Sequence, residues 1–291
     1  PVWYRGEETY CGEELPKGEE WEQDPDTLDT WFSSGLWTFS TLGWPQETED
    51  LKTFHPTDVL ETGYDIIFFW VARMILMTTY HLGDIPFKKV YLHGLVRDAE
   101  KQKMSKSRGN IVDPLEMIGQ YGADALRMGL IVGNPPGNDL ALSQDKVKGH
   151  KHFANKIWNA SRFVISNVND INAIGKPQSL TEQDERNLQE LRAMTKEITE
   201  DMEHFRLYLA AEKLYHYFWH TFADKIIEEA KSRLKSDNEG DRRSAAYAIR
   251  EILSTSLKLL HPFMPFITEE IWQNLPGRAD NLLIVAPWPE E

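Results

Sequence analysis

Beyond about Lys146, apolar residues recur at steps of three and four with little interruption, and no other feature restricts the fold of this 291-residue chain as tightly. Leu188, Leu191, Met194 (or Thr195), Ile198 and Met202 keep that spacing, as do Ala245, Ile249, Ile252, Leu253, Leu257 and Leu260. A period of this kind gives each helix one apolar stripe, and the stripes must be buried against one another. Helix-ending residues stand at Gly175–Pro177, at Ser236–Gly240, and at Pro262 and Pro265. They divide the segment into roughly four or five helices with short connections, which predicts an antiparallel bundle.

The segment before Lys146 is built differently. Residues 1–30 are acidic and broken by Gly and Pro, and read as short strands and turns. Val59 to Gly63 reads as a strand entering a glycine turn, and a helix is expected from about Asp65 to His81. Its apolar positions are dense enough to predict burial on most sides. Pro86 to Gly94 reads as a second strand ending in a glycine turn. Strand, helix, strand is the unit of a parallel sheet, and ligands collect at the carboxyl ends of such strands, where Gly63 and Gly94 stand. The expectation is therefore an α/β domain over 1–145 followed by an all-α domain over 146–291.

Composition limits the rest. The single cysteine, Cys11, excludes an internal disulfide and a thiolate metal cluster, and no histidine pair or carboxylate cluster has ligand spacing. The most apolar run, Ile66 to Met77, contains Arg73 and is short for a bilayer. The start of the chain has no signal-peptide pattern. A cytoplasmic, monomeric protein without a membrane partner is the default expectation. Net charge is −14, but residues 1–145 carry 12 Lys+Arg against 24 Asp+Glu, whereas residues 146–291 carry 20 against 22. Within the acidic part, Arg97, Lys101, Lys103, Lys106 and Arg108 cluster against only Asp98 and Glu100. A local field of that sign can steer a phosphate despite the total.

The cluster surrounds Lys103-Met104-Ser105-Lys106-Ser107-Arg108-Gly109-Asn110. Two ammonium groups interleaved with hydroxyls make a compact polyanion receptor, and Gly109 lets the backbone turn against a ligand. Lysine contacts that strengthen as pyrophosphate leaves would accelerate a nucleotidyl transfer. By composition alone a solvated basic turn is the plainer reading of the segment. There is no Gly-x4-Gly-Lys-Ser/Thr and no Gly-x-Gly-x-x-Gly opening a helix.

In its setting after a strand ending in His93-Gly94, this segment resembles the KMSKS signature of class I aminoacyl-tRNA synthetases. The resemblance runs along the whole chain. Asp26 to Gly35 is similar to the D-x-L-D-T-W-F-S-S stretch of the Ile/Leu/Val subgroup, and Ala123 to Arg127 to the helix after the signature loop. Phe153 to Ala160 and His261 to Phe266 resemble the subgroup's anticodon-binding domain. Thr62 to Met74 points to its valine-specific members, because a Ser-Asp-Gln-His-Arg-like stretch typical of the isoleucine enzymes is not found there.

The resemblance implies the C-terminal half of a Rossmann-like class I catalytic domain followed by a helical anticodon-binding domain. It implies an ATP-dependent valine–tRNA ligase whose substrates are valine, ATP with Mg2+, and tRNA(Val). Lys103 and Lys106 match the catalytic lysines on the ATP phosphates, with Ser105 and Ser107 beside them. Gly63 and Asp65 match the ribose-side element, and His93 and Gly94 the adenine-side turn. Asp65 would also suit a helix N-cap, and a strand-end histidine is often merely packed. Trp31, Ile66 and Trp70 match the valine pocket, although an apolar helix face is usually just core. A pocket that selects by size cannot strongly reject threonine, a limit for which the valine enzymes are the standard illustration, so an editing domain is expected in the whole enzyme. For tRNA, Lys156, Trp158, Asn159, Arg162 and Arg206 are candidates, against the plainer reading of bundle core and solvated charge. Arg127 suits the junction of the two domains.

No His-x-Gly-His element, the family's other ATP signature, occurs in the chain. The resemblance places it, together with the editing domain, in missing parts of the same polypeptide, so the chain alone is expected to be inactive. The alternatives are a fragment of an isoleucyl-type synthetase and a non-catalytic tRNA-binding module.

Overall fold

The computed structural model describes residues 1–168, 177–278 and 280–289; the turn expected at 175–177 lies, apart from Pro177, outside the described residues. The chain forms two compact units, Pro1–Leu92 and His93–Glu291.

The first unit opens with an antiparallel sheet in the order β2-β1-β3, from β1 (Val2–Arg5), β2 (Glu8–Cys11) and β3 (Glu22–Gln23). Gly6, at φ 61°, makes the tight turn between β1 and β2. Two short helices follow, α1 (Thr30–Gly35) and α2 (Trp37–Ser40), then α3 (Glu49–Phe54). Asp29 caps α1 by accepting from the Trp31 amide at 2.9 Å, and Thr48 caps α3 through the Leu51 amide at 3.0 Å. Strands β4 (Thr57–Gly63) and β5 (Phe87–His93) lie side by side in one sheet, connected through helix α4 (Ala72–Leu82). Leu60, Val71, Met74 and Phe87 form the small core of this sheet and helix.

The helix after Gly63 departs from expectation twice. It is not one α-helix: Tyr64–Ile66 is a 3-10 turn and Ile67–Val71 a π turn before α4 begins. Ile66, Ile67, Phe68, Phe69, Trp70 and Val71 are all β-branched or aromatic, and such side chains crowd the preceding turn of an α-helix. The wider π turn relieves that crowding. Nor is the helix buried on most sides. Val71, Met74 and Thr78 are covered, while Phe68, Leu76 and Tyr80 are 71%, 66% and 83% exposed. Tyr64–Leu82 is long and apolar enough to cross a membrane by length and composition alone. Its covered stripe packs on α1 and α2, where a Cβ at Gly35 would stand 3.4 Å from Met77 Cγ and the Thr38 and Thr78 hydroxyls bond at 3.0 Å.

The second unit begins with β6 (Val96–Arg97), parallel to β7 (Leu140–Ala141), with α5 (Pro114–Tyr121) and α6 (Ala123–Ile131) between them. The helical part comprises α7 (Gln144–Val168), α8 (Glu182–Glu203), α9 (Leu207–His216), α10 (Ile227–Arg233), α11 (Glu239–Leu260) and α12 (Pro265–Gln273). A π segment, Tyr217–Ile226, joins α9 to α10 without a break. The predicted stripes meet in one core that includes Phe153, Ile157, Ile198, Phe218, Phe222, Ile249, Ile252, Leu253 and Leu257, all 0–1% exposed.

Some polar groups inside this unit are paired, although the buried Ser161, Tyr217 and Ser256 hydroxyls have no hydrogen-bond partner among the described residues. Asp184, 3% exposed, accepts from Arg233 at 2.6 and 2.8 Å and from the Ser244 hydroxyl at 2.6 Å, which fastens α8, α10 and α11 together. Burial alone would raise the Asp184 pKa, but the bonds from Arg233, Ser244 and Thr181 outweigh it and lower the value. Two stretches singled out separately in the sequence meet here. Asp124 accepts from the Phe266 and Ile267 amides at 3.2 and 2.7 Å, capping α12 from another helix. Arg127 donates to the Pro262 and Phe263 carbonyls at 2.8 and 3.1 Å.

Candidate functional site

The basic loop is held from inside by a carboxylate and an amide. Asp98, 8% exposed, accepts from the Gln102 amide at 2.6 Å and from Asn110 Nδ2 at 2.7 Å. Asn110 Nδ2 also reaches the Lys103 carbonyl at 3.2 Å, and Asn110 Oδ1 accepts from the Ser105 amide at 2.9 Å. One side chain thus fixes both ends of Lys103–Asn110. The hydrogen bond from Asn110 holds the Asp98 carboxyl below its ordinary pKa against the opposing effect of burial. Asp98 therefore stays ionised and offsets part of the loop's charge without pairing with Lys103.

Lys103 and Ser107 are exposed, and the Ser105 and Ser107 hydroxyls stand 3.3 Å apart. The Lys106 side chain lies outside the described part of the structure; its backbone opens the 3-10 turn Lys106–Arg108. Gly109, at φ 66°, needs the left-handed conformation that glycine supplies without strain. At the loop's base, Asp139 pairs with Arg97 and accepts from the Leu95 amide at 2.9 Å. His93 Nδ1 lies 2.8 Å from the Gly94 carbonyl, to which it donates. Gly94 is pressed onto the opposite loop: a Cβ there would fall 1.7 Å from the Asn138 carbonyl oxygen.

In the first unit, Gly63 is buried and ends β4 in ordinary extended conformation, φ −65° and ψ 143°. The N-cap of the following turn is Gly63 itself, and Asp65, in the middle of that turn, is exposed. Trp31 stacks on Phe69 with centroids 5.7 Å apart, and Trp70 leans on Trp37 at 5.9 Å while donating Nε1–H to the Ser34 carbonyl at 3.0 Å. Trp31 and Trp70 are thus each held by a ring pair between the α1–α2 segment and the π turn, and Ile66, in the 3-10 turn before it, is half-buried. Sequence reasoning missed the ring partners Trp37 and Phe69, and Asp98 and Asp139 in the loop. For the aromatics the signal was composition; for Asp98 it was only adjacency to the basic cluster.

The five tRNA candidates fall into three places. Lys156 and Asn159 line a groove of about 180 Å3 with Phe163, Ile227 and Lys231, and Lys156 pairs with Asp224. Trp158 and Arg162 line a different groove, of about 350 Å3, between α7 and α12. Arg206 donates Nε–H to Asp201 at 2.7 Å, and Asp201 also holds Lys213 at 2.9 Å. Among the described residues no group of three or more His, Cys, Asp or Glu is arranged to hold a metal ion.

Comparison with known proteins places both halves. Residues 6–143 match the family of tRNA synthetases class I (I, L, M and V), and residues 184–291 match the anticodon-binding domain of tRNA ligase. Valine–tRNA ligases of Clostridium acetobutylicum and Geobacillus stearothermophilus are each 49% identical to the chain over 99% and 100% of its length. The chain spans about a third, 34%, of the length of either relative. Among solved structures, Agrobacterium radiobacter LeuRS in ternary complex with tRNA and LeuAMS superposes with a TM-score of 0.76 at 20% identity, covering 99% of this chain and 35% of that one. Mycobacterium tuberculosis methionyl-tRNA synthetase in complex with methionyl-adenylate gives 0.69 at 24% identity, over 83% and 48%. Those two likenesses establish the fold, a mixed α/β part followed by helices. With a synthetase match, an anticodon-domain match and near-half identity along its full length, the chain belongs to the class I tRNA synthetases of the isoleucine, leucine, methionine and valine group.

Proposed function

We propose that this chain supplies the signature-loop side of the catalytic site and the anticodon-reading domain of a valine–tRNA ligase, acting on valine, ATP and tRNA(Val). The observation that carries the reading is the Asp98–Asn110 clasp, which presents Lys103 outward on a fixed loop. A fixed ammonium placed where a leaving pyrophosphate gains charge stabilises the transition state without reorganisation. Lys106, Ser105 and Ser107 take the neighbouring phosphate oxygens in this reading, and magnesium enters with ATP as part of the substrate. Asp65 and Gly63 serve the ribose, and His93 and Gly94 the adenine. Trp31, Trp70 and Ile66 enclose the valine side chain, where apolar walls select by size. The helical part reads single-stranded bases of the anticodon, with Lys156 and Asn159 in the smaller groove of α7. The reading is of a cytoplasmic monomer that binds no membrane.

The test is binding of tRNA(Val) and of an isoleucine tRNA by the purified chain over a salt series. Preference for tRNA(Val), with affinity falling as salt rises, is the expected result. Equal affinity for the two, or binding of neither, overturns the proposal.

A further inference from the structure

A groove of about 740 Å3 lies between α8 and the continuous helix that runs from α9 into the π segment Tyr217–Ile226. One wall takes Glu190, Met194 and Glu197 from α8, at steps of four and three. The other takes Leu209, Glu212, His216 and His220, at steps of three and four. Each wall is therefore one face of one helix. Leu209 to His220 covers about three turns, roughly 16 Å of groove length.

The free charge in this groove has one sign. Lys213 lines it too, but its ammonium is taken up by Glu197 and Asp201, each at 2.9 Å. Glu190 on one wall and Glu212 on the other form no ion pair among the described residues. His216 and His220 stack on one another with centroids 5.8 Å apart and add flat surface. Tyr217, 7% exposed, also lines the groove, and its hydroxyl has no hydrogen-bond partner among the described residues. Burial first, and then the charge of Glu190, raises the pKa of that phenol, which places Glu190 beside it. A phenol oxygen and a carboxylate side by side can both accept from one ammonium or guanidinium. Between the acidic groups, Met194 and Leu209 are half-buried and offer apolar surface.

We propose that this groove docks one helix of a partner protein, amphipathic, with an aliphatic face flanked by lysine or arginine. The inference does not depend on the ligase reading. Two packed helices with an open groove between them form a seat for a third, whose apolar side chains enter at helical spacing. Charge complementarity selects a basic helix: its cations meet Glu190 with Tyr217 on one side and Glu212 on the other. The same field repels a phosphate backbone, so the groove is not suited to nucleic acid. A small diamine could satisfy both carboxylates but would leave most of the three-turn apolar run uncovered.

The experiment titrates the chain into fluorescein-labelled peptides and reads their anisotropy. Each peptide has about eighteen residues, long enough to be partly helical alone. The first carries leucine at helical spacing on one face and lysine elsewhere. The second has glutamate in place of lysine, and the third keeps the composition of the first with its leucines dispersed. The first is expected to bind roughly tenfold or more tightly than either of the others. Glu190→Gln with Glu212→Gln, which keeps both side-chain shapes, should weaken it roughly tenfold. Glu185→Gln with Glu203→Gln, the same loss of charge at exposed positions of α8 outside the groove, should leave it unchanged. The Met194 methyl resonance should shift when the lysine peptide is added. Equal binding of the lysine and glutamate peptides overturns the proposal, and so does an equal effect of the two glutamine pairs. A Met194 methyl that shifts with tRNA(Val) but not with the peptide assigns the groove to RNA and overturns it. A dimer of the chain that Glu190→Gln with Glu212→Gln dissolves assigns the groove to a second copy, with the same consequence.

Discussion

Asn110 holds Asp98 through a 2.7 Å bond from Nδ2 to Oδ2, and with the same side chain it receives the Ser105 amide at 2.9 Å. Twelve positions of sequence separation are closed by one side-chain pair. The bond is charge-assisted, the stronger class of hydrogen bond. Asn110→Ala is expected to raise hydrogen exchange of the Ser105 and Gln102 amides by roughly tenfold or more while leaving protection in α11 unchanged. Exchange mass spectrometry reads this directly, and unaltered loop exchange would mean that the loop is held by other contacts.

Gly94 tolerates no side chain. With a Cβ at 1.7 Å from the Asn138 oxygen and 2.1 Å from its carbonyl carbon, Gly94→Ala must push two backbone segments apart. The expected cost is of order 3 kcal/mol, the scale of a severe overpacking. Urea unfolding of the variant measures it, with Gly119→Ala, which meets nothing within 4 Å, as the tolerated control.

Asp124 is expected to be worth more to stability than its exposed neighbours. Asp124→Ala leaves the Phe266 and Ile267 amides without their acceptor at the start of α12, a loss of about 2 kcal/mol. Desolvation raises the Asp124 pKa above its ordinary value, against the two amides and Arg127. Asp124→Asn, which keeps an acceptor oxygen, should recover part of the loss in the same denaturant titration.

Acidification should act through His150 before it reaches the carboxylates. Burial, with Lys146 nearby, lowers its pKa from 6.5 to about 4. Above pH 6.5 the ring is neutral in both folded and unfolded chains and adds no pH dependence. Between 6.5 and about 4 the unfolded chain takes up the proton and the folded one does not, so stability falls as pH falls. His261, also lowered by burial, acts in the same direction. Melting temperature is expected to decline across that window, and His150→Gln should flatten the decline.

Much of the architecture was legible from spacing alone, because the helical stripes of 188–202 and 245–260 bury the residues their period selects. The strand–helix–strand order around Gly63 and Gly94 was equally plain. The helix after Gly63 was not. Hydrophobic density cannot distinguish an α from a π turn, nor a helix covered all round from one with Phe68, Leu76 and Tyr80 outward. At the loop, Lys103 and Lys106 declared themselves by type and spacing, but Asp98 and Asn110 act through a bond across a turn, which no periodicity records. Trp158 and Arg162 were noticed as an aromatic and a cation. Their shared groove with Glu270, more than a hundred positions away, was invisible until α7 and α12 were placed together.

The grip of Asp124 and Arg127 on the 262–267 turn falls wholly on main-chain oxygens and amides. A lock that reads only backbone does not care which side chains its partner wears. Drift at the outward-facing Pro262 and Phe266 is therefore cheap as long as the turn keeps its shape, whereas either charged residue, once lost, is replaced at best in part. Related chains should vary freely on one side of this contact and hardly at all on the other.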